Sequence, residues 1–246
     1  MHLLVRVQNS LVIKYFAKSL SDQKGAGSLV RLGTEYGGWW VPEKMLHIES
    51  QEWSVISIGL GHDVSFDKEI TNHGIPVIGL DPLQSCIAYA NKEIGSNEKL
   101  TLINKGIWTQ SGKRIFFAPK NITHDSWSIT NTQMTSSKDS IEFEVISLKD
   151  LRKSHSSILD KKKLYLKMDI EGSEEKIIEQ IISDSMIFDF LAIEMDYLSL
   201  IPFFGLKRRI KAIATARQQL SNLRKLGYKL CHVENFNFFW RYAGHV

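Results

Sequence analysis

Two carboxylates, Asp169 and Glu171, follow an apolar alternating run that predicts a buried β-strand within residues 164–174. Side chains two residues apart lie on the same side of an extended chain, so we expect both carboxylates to face one ligand. Gly172 ends the strand pattern, and Ser173 is expected to cap a following amphipathic helix. In an open α/β sheet, ligands bind at this end of the strands.

A second group of residues follows the predicted strand 53–59, where the chain reads Gly59-Leu60-Gly61. Two glycines after a buried strand allow a sharp turn and a close approach of the backbone to a ligand. Asp81 lies 22 residues after Gly59, at the end of the next predicted strand, where a carboxylate can accept hydrogen bonds from ribose hydroxyls. The turn, the acid and the β-α-β context together favour a nucleoside-bearing cofactor.

The residues after the glycine turn help to distinguish between S-adenosylmethionine and NAD as the cofactor. Val64 stands where the dinucleotide fingerprint has its third glycine or alanine, and Asp63 begins the following helix. A fixed negative charge there opposes a pyrophosphate and suits a sulfonium cation. The pattern therefore favours S-adenosylmethionine over NAD, and an NAD-linked oxidoreductase remains the alternative enzyme.

Composition sets the class of protein. The chain has 246 residues, 43% hydrophobic and 24% charged, with a formal net charge of +4. This predicts one α/β domain over residues 36–246, preceded by an N-terminal extension over residues 1–35. The two cysteines lie far apart and form no metal-binding or disulfide pattern, which favours a reducing, cytoplasmic setting. No uninterrupted apolar run reaches membrane-spanning length, so we expect no transmembrane segment.

Hydrophobic periodicity predicts strands that alternate with amphipathic helices, which is typical of a doubly wound, Rossmann-like sheet. Two antiparallel strands are expected to close the sheet at the C-terminus. The predicted strands span residues 53–59, 76–81, 100–104, 114–118, 141–146, 188–196, 228–233 and 237–242, and a further strand opens the stretch 164–174 and carries Asp169 and Glu171 at its carboxyl end.

Four segments carry a resemblance to a known family: Val55–Gly61, Val77–Pro82, Asn104–Ile107 and Leu166–Glu174. Over roughly residues 36–246 the chain resembles the FkbM-type S-adenosylmethionine-dependent methyltransferases, and the Lys-x-Asp-Ile-Glu-Gly-x-Glu segment is the most specific match. Residues 36–40 and 64–67 are also similar to animal methyltransferase-like proteins. The resemblance implies a class I methyltransferase sheet of seven strands, mostly parallel with an antiparallel last strand. It also implies methyl transfer to an oxygen, often a sugar or polyketide hydroxyl.

Together with that resemblance, the motifs give each candidate residue a role. Asp169 is the first candidate for the base that removes the acceptor's proton, although it could instead cap the following turn. Glu171 is a second candidate, with binding of the methionine amino group or pairing with Lys167 as its other roles. His62 could act as an acid or base, or be a solvated loop residue. The cofactor-binding candidates are Gly59, Leu60, Gly61, Asp81, Pro82, Asn104, Gly106, Ile107 and Asp169.

A divalent metal such as magnesium is a further candidate cofactor, because Asp169 and Glu194 end neighbouring predicted strands and could share a cation. A salt bridge is the other interpretation of Glu194. The polar stretch 121–140, with His124, could fold over the cofactor or be a solvent-exposed connection. The segment 197–209 matches no motif.

We expect the partner to be a small-molecule or carbohydrate acceptor. The basic run 207–211 could meet an anionic substrate, contact a membrane surface peripherally, or be solvated. Nucleic acid is not expected, because basic and aromatic residues do not interleave along one strand face. The alternative to an enzyme is a non-catalytic binding module, which would keep the fold and bind a glycan or an anionic partner. The oligomeric state is left open.

Overall fold

A computed structural model describes residues 25–47, 52–120, 126–130, 135–160, 162–199 and 206–244. Most of the predicted N-terminal extension, His124 and residues 200–205 therefore lie outside the described residues. Within the described part, no helix is both long enough and apolar enough to cross a membrane.

Strands and helices alternate along most of the described chain. The strands are β1 (Leu29–Leu32), β2 (Trp39–Pro42), β3 (Trp53–Ile58), β4 (Val77–Leu80), β5 (Leu100–Ile103), β6 (Gly106–Ile107), β7 (Gly112–Pro119), β8 (Thr135–Ile146), β9 (Lys163–Met168), β10 (Phe190–Glu194), β11 (Tyr228–Glu234) and β12 (Asn237–Tyr242). The helices are α1 (Ser65–Asn72), α2 (Gln84–Ile94), α3 (Leu148–Ser154), α4 (Ser156–Leu159), α5 (Glu174–Ser183), α6 (Asp196–Ser199) and α7 (Leu206–Lys225). A short 3₁₀ helix spans Glu43–Leu46.

Seven strands form the central sheet in the order β11-β12-β10-β9-β3-β4-β5. The five strands β10, β9, β3, β4 and β5 run parallel, and β12 runs antiparallel to both of its neighbours. The prediction of a seven-stranded, mostly parallel sheet with an antiparallel last strand is confirmed. Because the carboxyl ends of the parallel strands meet at one edge, the loops that follow them converge.

Apolar residues cover both faces of this sheet. On one face, side chains of β3, β9 and β10 pack against α3, α5 and α7 in one buried cluster. On the other face, alternate side chains of the same strands pack against α1 and the β1–β2 hairpin. All six residues of β3 are buried, as expected for a parallel strand covered on both faces. The sheet therefore lies between two layers, in agreement with the doubly wound prediction.

The β1–β2 hairpin belongs to the packed domain. β1 pairs antiparallel with β2, and Trp39 and Val41 are buried against the sheet. The Tyr165 hydroxyl donates a hydrogen bond to the Trp40 carbonyl at 2.8 Å, which fixes the hairpin over β9. Since β1 falls within residues 29–32, part of the predicted N-terminal extension contributes to the core.

The predicted strands at residues 114–118 and 141–146 lie in a second sheet, together with β6, in the order β6-β8-β7. Both strands extend beyond the predicted bounds, and ion pairs such as Lys113–Glu142, at 3.1 Å, join them. Phe116 of β7 packs so closely on Gly106 that a Cβ there would lie 2.8 Å from the ring. The second sheet thus covers the chain that leaves β5.

Candidate active site

A cleft with a volume of about 1250 Å³ opens at the carboxyl ends of β3, β4, β9 and β10. Pockets for one small ligand usually span about 300–1,000 Å³, so this cleft can hold a cofactor and an acceptor together. Among the predicted site residues, Asn104 does not line the cleft. Those that do are Gly59, Leu60, Gly61, His62, Asp81, Pro82, Gly106, Ile107, Asp169, Glu171 and Glu194.

The glycine turn is held against the end of β9. Gly59 has a φ of 79°, and a Cβ at this position would lie 1.7 Å from the carbonyl oxygen of Asp169. The amide of Asp169 donates to the carbonyl of Ile58 at 3.0 Å, and the buried Lys167 ammonium donates to the carbonyl of Gly59. Only glycine fits here, because the two loops are in direct backbone contact.

Asp81 holds the other side of this turn. One carboxylate oxygen accepts hydrogen bonds from the amides of Leu60 and Gly61 at 3.0 and 3.1 Å, and the other accepts from Leu83 at 2.8 Å. A carboxylate offers about four lone-pair positions, so one remains for a ligand hydroxyl. Burial raises the pKa of Asp81, and the three amide hydrogen bonds oppose that rise. Asp81 therefore shapes the turn and keeps one acceptor position for a ligand, and its predicted contact with a ribose stays a prediction.

Asn104 supports the loop after β4 and does not line the cleft. Its side-chain amide donates hydrogen bonds to the carbonyls of Asp81 and Pro82, at 3.0 and 2.9 Å. The residue thereby fixes the loop after β4 from outside the cleft. Its predicted role in cofactor binding is untested and stays a prediction.

His62 and Asp63 follow the glycine turn in different surroundings. His62 is exposed, and its ring meets Tyr89 of α2 edge-on at 5.3 Å. Asp63 accepts hydrogen bonds from Ser65 and from the Thr34 hydroxyl of the hairpin turn. Burial raises the pKa of Asp63, but these hydrogen bonds outweigh it and leave the pKa lowered. Asp63 is therefore a fixed negative charge that ties the hairpin to the start of α1.

The turn after β9 differs from the predicted extended segment. β9 ends at Met168, and Glu171 has a positive φ of 59°, so Asp169 and Glu171 do not face one side of a strand. They nevertheless both reach the cleft, through the turn rather than through strand alternation. The Ser128 hydroxyl of the β7–β8 connection donates to the carbonyl of Glu171 at 2.7 Å and supports this conformation.

The prediction that Ser173 caps α5 with its side chain is wrong. Glu174 instead accepts hydrogen bonds from the amides of Ile170 and Gly172, at 3.1 and 3.0 Å, so its carboxyl group closes the turn from within the helix. Ser173 makes no side-chain cap, although it is only 3% exposed and lines the cleft. Its hydroxyl has no hydrogen-bond partner among the described residues.

Five acidic residues gather where β9 and β10 end. Burial, together with the charges of Asp169 and Glu171, raises the pKa of Glu194 to about 8. Burial and the charge of Asp169 likewise raise the pKa of Glu174 to about 8. The pKa of Asp196 is raised well above its usual value by burial and by the neighbouring carboxylates. The cluster would gain stability from a bound cation.

The described residues contain no group of three or more His, Cys, Asp or Glu side chains arranged to hold a metal ion. Asp169 and Glu194 do line the same cleft, and the charge of Asp169 acts on Glu194. They supply two carboxylates, fewer ligands than magnesium or calcium requires without water or substrate oxygens. Their role as metal ligands stays a prediction.

Several cleft residues were not singled out as functional from the sequence: Arg31 of β1 and, at the β11–β12 turn, Glu234, Asn235 and Asn237. Tyr36 of the hairpin turn, which belongs to the segment similar to animal methyltransferase-like proteins, also lines the cleft. Arg31 forms an ion pair with Glu234 at 3.3 Å, which joins the two turns across the cleft wall. No local pattern marks these residues, because they meet only when the first and last strands assemble.

The comparisons with known proteins come from sequence and from structure. Residues 41–230 match the Methyltransferase FkbM domain. No curated protein sequence matches the chain. A methyltransferase FkbM from Methylobacillus flagellatus KT is similar over 96% of this chain, with 14% identity and a TM-score of 0.48. The chain spans 59% of that protein's length. A fibrillarin pre-rRNA processing protein from Methanococcus jannaschii is similar over 92% of this chain and 87% of its own, with 10% identity and a TM-score of 0.42.

The family match covers most of the chain and contains the glycine turn, Asp81, the turn after β9 and Glu194. The hairpin residues Arg31 and Tyr36 and the β11–β12 turn lie outside it. On this match, the chain belongs to the FkbM methyltransferase family.

Proposed function

We propose that this methyltransferase uses S-adenosylmethionine to methylate a hydroxyl group of a carbohydrate or another small molecule. The observation that carries the proposal is the backbone contact between Gly59 and Asp169, which places the predicted cofactor turn beside the predicted base. Family membership supports methyl transfer, and the geometry supports where it would occur.

The residues at the ends of β3 and β4 fit an adenosyl ligand. Asp81 keeps one acceptor position for a ribose hydroxyl, and the glycine turn leaves the backbone open to the cleft. Gly106 and Ile107 line the adjoining wall, where an adenine ring would find apolar surface. The negative charges of Asp63 and Asp169 suit a ligand that carries a sulfonium.

When bound, S-adenosylmethionine would supply an electrophilic methyl group, and in-line attack of an acceptor oxygen on that methyl carbon would break its bond to sulfur and release S-adenosylhomocysteine. The protein must orient that oxygen and take up its proton. Asp169 is the candidate for this step, since it lies at the end of β9 between the cofactor turn and Glu194. Lys167 holds the Gly59 carbonyl and so fixes the spacing between the two loops.

The first experiment is calorimetric titration of the protein with S-adenosylmethionine, S-adenosylhomocysteine and NADH. We expect micromolar dissociation constants, on the order of −8 kcal/mol, for both adenosyl ligands and none for NADH. Binding of NADH alone would overturn the proposal in favour of an oxidoreductase. Binding of the adenosyl ligands without turnover of any hydroxyl acceptor would favour a non-catalytic module.

Repeating the titrations with magnesium tests the metal prediction. A gain in affinity or turnover that Asp169→Asn and Glu194→Gln both abolish would assign these residues as ligands. Unchanged binding and turnover after removal of divalent ions with a chelator would exclude the metal role.

A further inference from the structure

The cleft carries a charge opposite to that of the chain. The formal net charge of the whole sequence is +4, yet eight acidic residues line the cleft against one arginine and one lysine among the described residues. The acidic residues are Glu35, Asp63, Asp81, Asp169, Glu171, Glu194, Asp196 and Glu234. A cleft of one sign concentrates ligands of the other sign, so these residues bear on what the cleft binds.

Three of these acids are occupied by the protein itself. Asp63 binds Ser65 and Thr34, Asp81 binds the glycine turn, and Glu234 accepts from Arg31 and from the Trp40 indole. Glu194 differs from them, because its carboxylate accepts no hydrogen bond from the described residues although the residue is half-buried and lines the cleft. Partial burial of a carboxylate without hydrogen bonds costs free energy that a cationic ligand in the cleft would offset.

Ser173 gives an independent indication of a ligand at the same place. The residue lines the cleft, and its hydroxyl oxygen is buried and has no partner among the described residues. Buried hydroxyl groups are nearly always hydrogen-bonded in native proteins. Ser173 lies in the turn that also carries Asp169 and Glu171, whose charges act on Glu194 and Asp196.

The cofactor alone does not account for this group. Apart from Asp169 at the end of β9, the predicted cofactor contacts follow β3, β4 and β5, whereas Glu194 ends β10 and Asp196 begins the next helix, two strands away from β3. S-adenosylmethionine has a net charge of +1, which leaves most of the acidic residues uncompensated. The remaining acids face the part of the cleft that an acceptor would occupy.

We propose that the methyl acceptor carries a protonated amine, which binds to the Glu194 carboxylate with Asp196 and the Ser173 hydroxyl beside it. An ammonium group offers three hydrogen-bond donors, and its positive charge would lower the raised pKa values of Glu194 and Asp196, so that both side chains can bind it as carboxylates together with the hydroxyl acceptor. A phosphorylated acceptor would instead meet like charges at short range. This inference rests on the proposed function and adds the charge of the acceptor to it.

The test uses three small hydroxyl compounds that differ in charge: ethanolamine, ethylene glycol and glycolate. Each is titrated into protein saturated with S-adenosylhomocysteine, which has no sulfonium charge, and binding is followed by saturation-transfer NMR. We expect ethanolamine to bind in the millimolar range, at least about tenfold more tightly than ethylene glycol, and glycolate not to bind. Raising the salt concentration should weaken only ethanolamine binding.

Two variants and a control make the result specific. Glu194→Gln, which keeps the shape of the side chain, and Ser173→Ala should each reduce ethanolamine binding while the melting temperature stays near that of the wild type. Glu98→Gln is the control, because the Glu98 side chain is 86% exposed and does not line the cleft. Equal binding of ethanolamine and ethylene glycol, or unchanged ethanolamine binding in Glu194→Gln, would overturn the proposal.

Magnesium separates the proposal from a metal site. If magnesium at a micromolar concentration equal to that of the protein displaces ethanolamine, the acidic residues bind a metal and the amine proposal is wrong. If S-adenosylhomocysteine does not bind, the proposed function fails. The three compounds are then titrated into the protein without cofactor, where ethanolamine should still bind more tightly than ethylene glycol and glycolate should not bind.

Discussion

Gly59 is the residue at which the two halves of the site touch. A Cβ at this position would overlap the carbonyl oxygen of Asp169, so the backbone of one loop packs directly on the backbone of the other. Its positive φ adds a second requirement, because side chains disfavour that region. The same residue therefore decides the shape of the cofactor turn and the position of the candidate base.

Gly59→Ala should damage the site more than the strain of a positive φ alone would. We expect a loss of stability of about 3 kcal/mol or more and at least about tenfold weaker binding of S-adenosylhomocysteine, because the new Cβ overlaps backbone. Gly74→Ala is the matched control. Gly74 has a similar φ of 75° and nothing within 4 Å of its Cβ position, so it should lose about 1–2 kcal/mol and bind normally. Thermal denaturation and calorimetry measure both, and equal effects of the two substitutions would contradict the overlap.

Asp169→Asn tests the chemistry at the same contact. The amide keeps the size of the side chain and its place in the turn but cannot take up a proton. We expect S-adenosylhomocysteine affinity within several-fold of the wild type and turnover reduced by about 10²-fold or more. Near-normal turnover in this variant would remove Asp169 from the proton-transfer step.

Glu174 gives a prediction for the pH dependence of stability. Its pKa is about 8 in the folded protein against a usual value of 4.5, so folding retains a proton that the unfolded chain releases. Between pH 4.5 and 8 the unfolded state binds fewer protons, and the contribution of Glu174 to stability therefore falls as the pH rises.

Glu174→Gln removes this titration while its oxygen can still accept from Ile170 and Gly172. The melting temperature of the variant minus that of the wild type should accordingly increase steadily from pH 5 to pH 8 in calorimetric scans without cofactor. Glu98→Gln should show no such trend, since that side chain is exposed. A difference that stays constant with pH would show that Glu174 is not protonated in the folded state.

Among the elements, those buried on both faces were the most predictable. The predicted strands at residues 53–59, 76–81 and 100–104 agree with β3, β4 and β5 to within one residue at each end, because continuous apolar runs leave little choice of boundary. β8 was predicted to begin six residues too late, since Thr135–Ser140 is polar and lies in the smaller, half-exposed sheet. The turn after β9 was missed because a positive φ at glutamate has no sequence signal.

The Arg31 side chain joins the turn of the β1–β2 hairpin to the opposite wall of the cleft. Arg31 donates to the carbonyls of Thr34 and Glu35 in the hairpin turn, and it pairs with Glu234 of β11. One guanidinium therefore both shapes the turn that carries Tyr36 and attaches it to the opposite wall of the cleft. Tyr36 itself is 93% exposed at the edge of the cleft, so the Arg31–Glu234 pair determines the position of the Tyr36 ring relative to the cleft.

Arg31→Ala should loosen this hairpin without unfolding the sheet. The amide of Gly38, which donates to the Thr34 carbonyl at 2.9 Å, should exchange its hydrogen about tenfold faster or more, while the β3 amides keep their protection. Arg114→Ala is the control, because among the described residues Arg114 donates only to the carbonyl of its neighbour Lys113. Hydrogen exchange followed by NMR measures both, and unchanged exchange at Gly38 would show that β-sheet pairing alone holds the hairpin.

At the scale of the molecule, the site depends on residues from both ends of the described chain. Arg31 meets Glu234 across 203 positions of sequence, and β12 inserts between β10 and β11 rather than adding to the outer edge of the sheet. The β-α-β pattern predicted which strands exist, and the resemblance implied the antiparallel last strand. The wall that β11 and β12 contribute to the cleft could not be predicted, because it arises from pairing between strands distant in sequence.

Trp240 of β12 tests whether this insertion stabilises the whole fold. Its side chain is fully buried in the core cluster shared by β3, β9, β10 and the helices α3, α5 and α7. Trp240→Ala would leave a large cavity between layers, and we expect a loss of about 3–5 kcal/mol, which lowers the melting temperature by about 10 °C in a protein of this size. Trp240→Phe should cost less than about 1.5 kcal/mol, since the indole nitrogen has no hydrogen-bond partner in the described residues and a ring still fills most of the space. If differential scanning calorimetry places the alanine variant within 2 °C of the phenylalanine variant, β12 is a peripheral strand, and the cleft wall that it carries does not depend on the core.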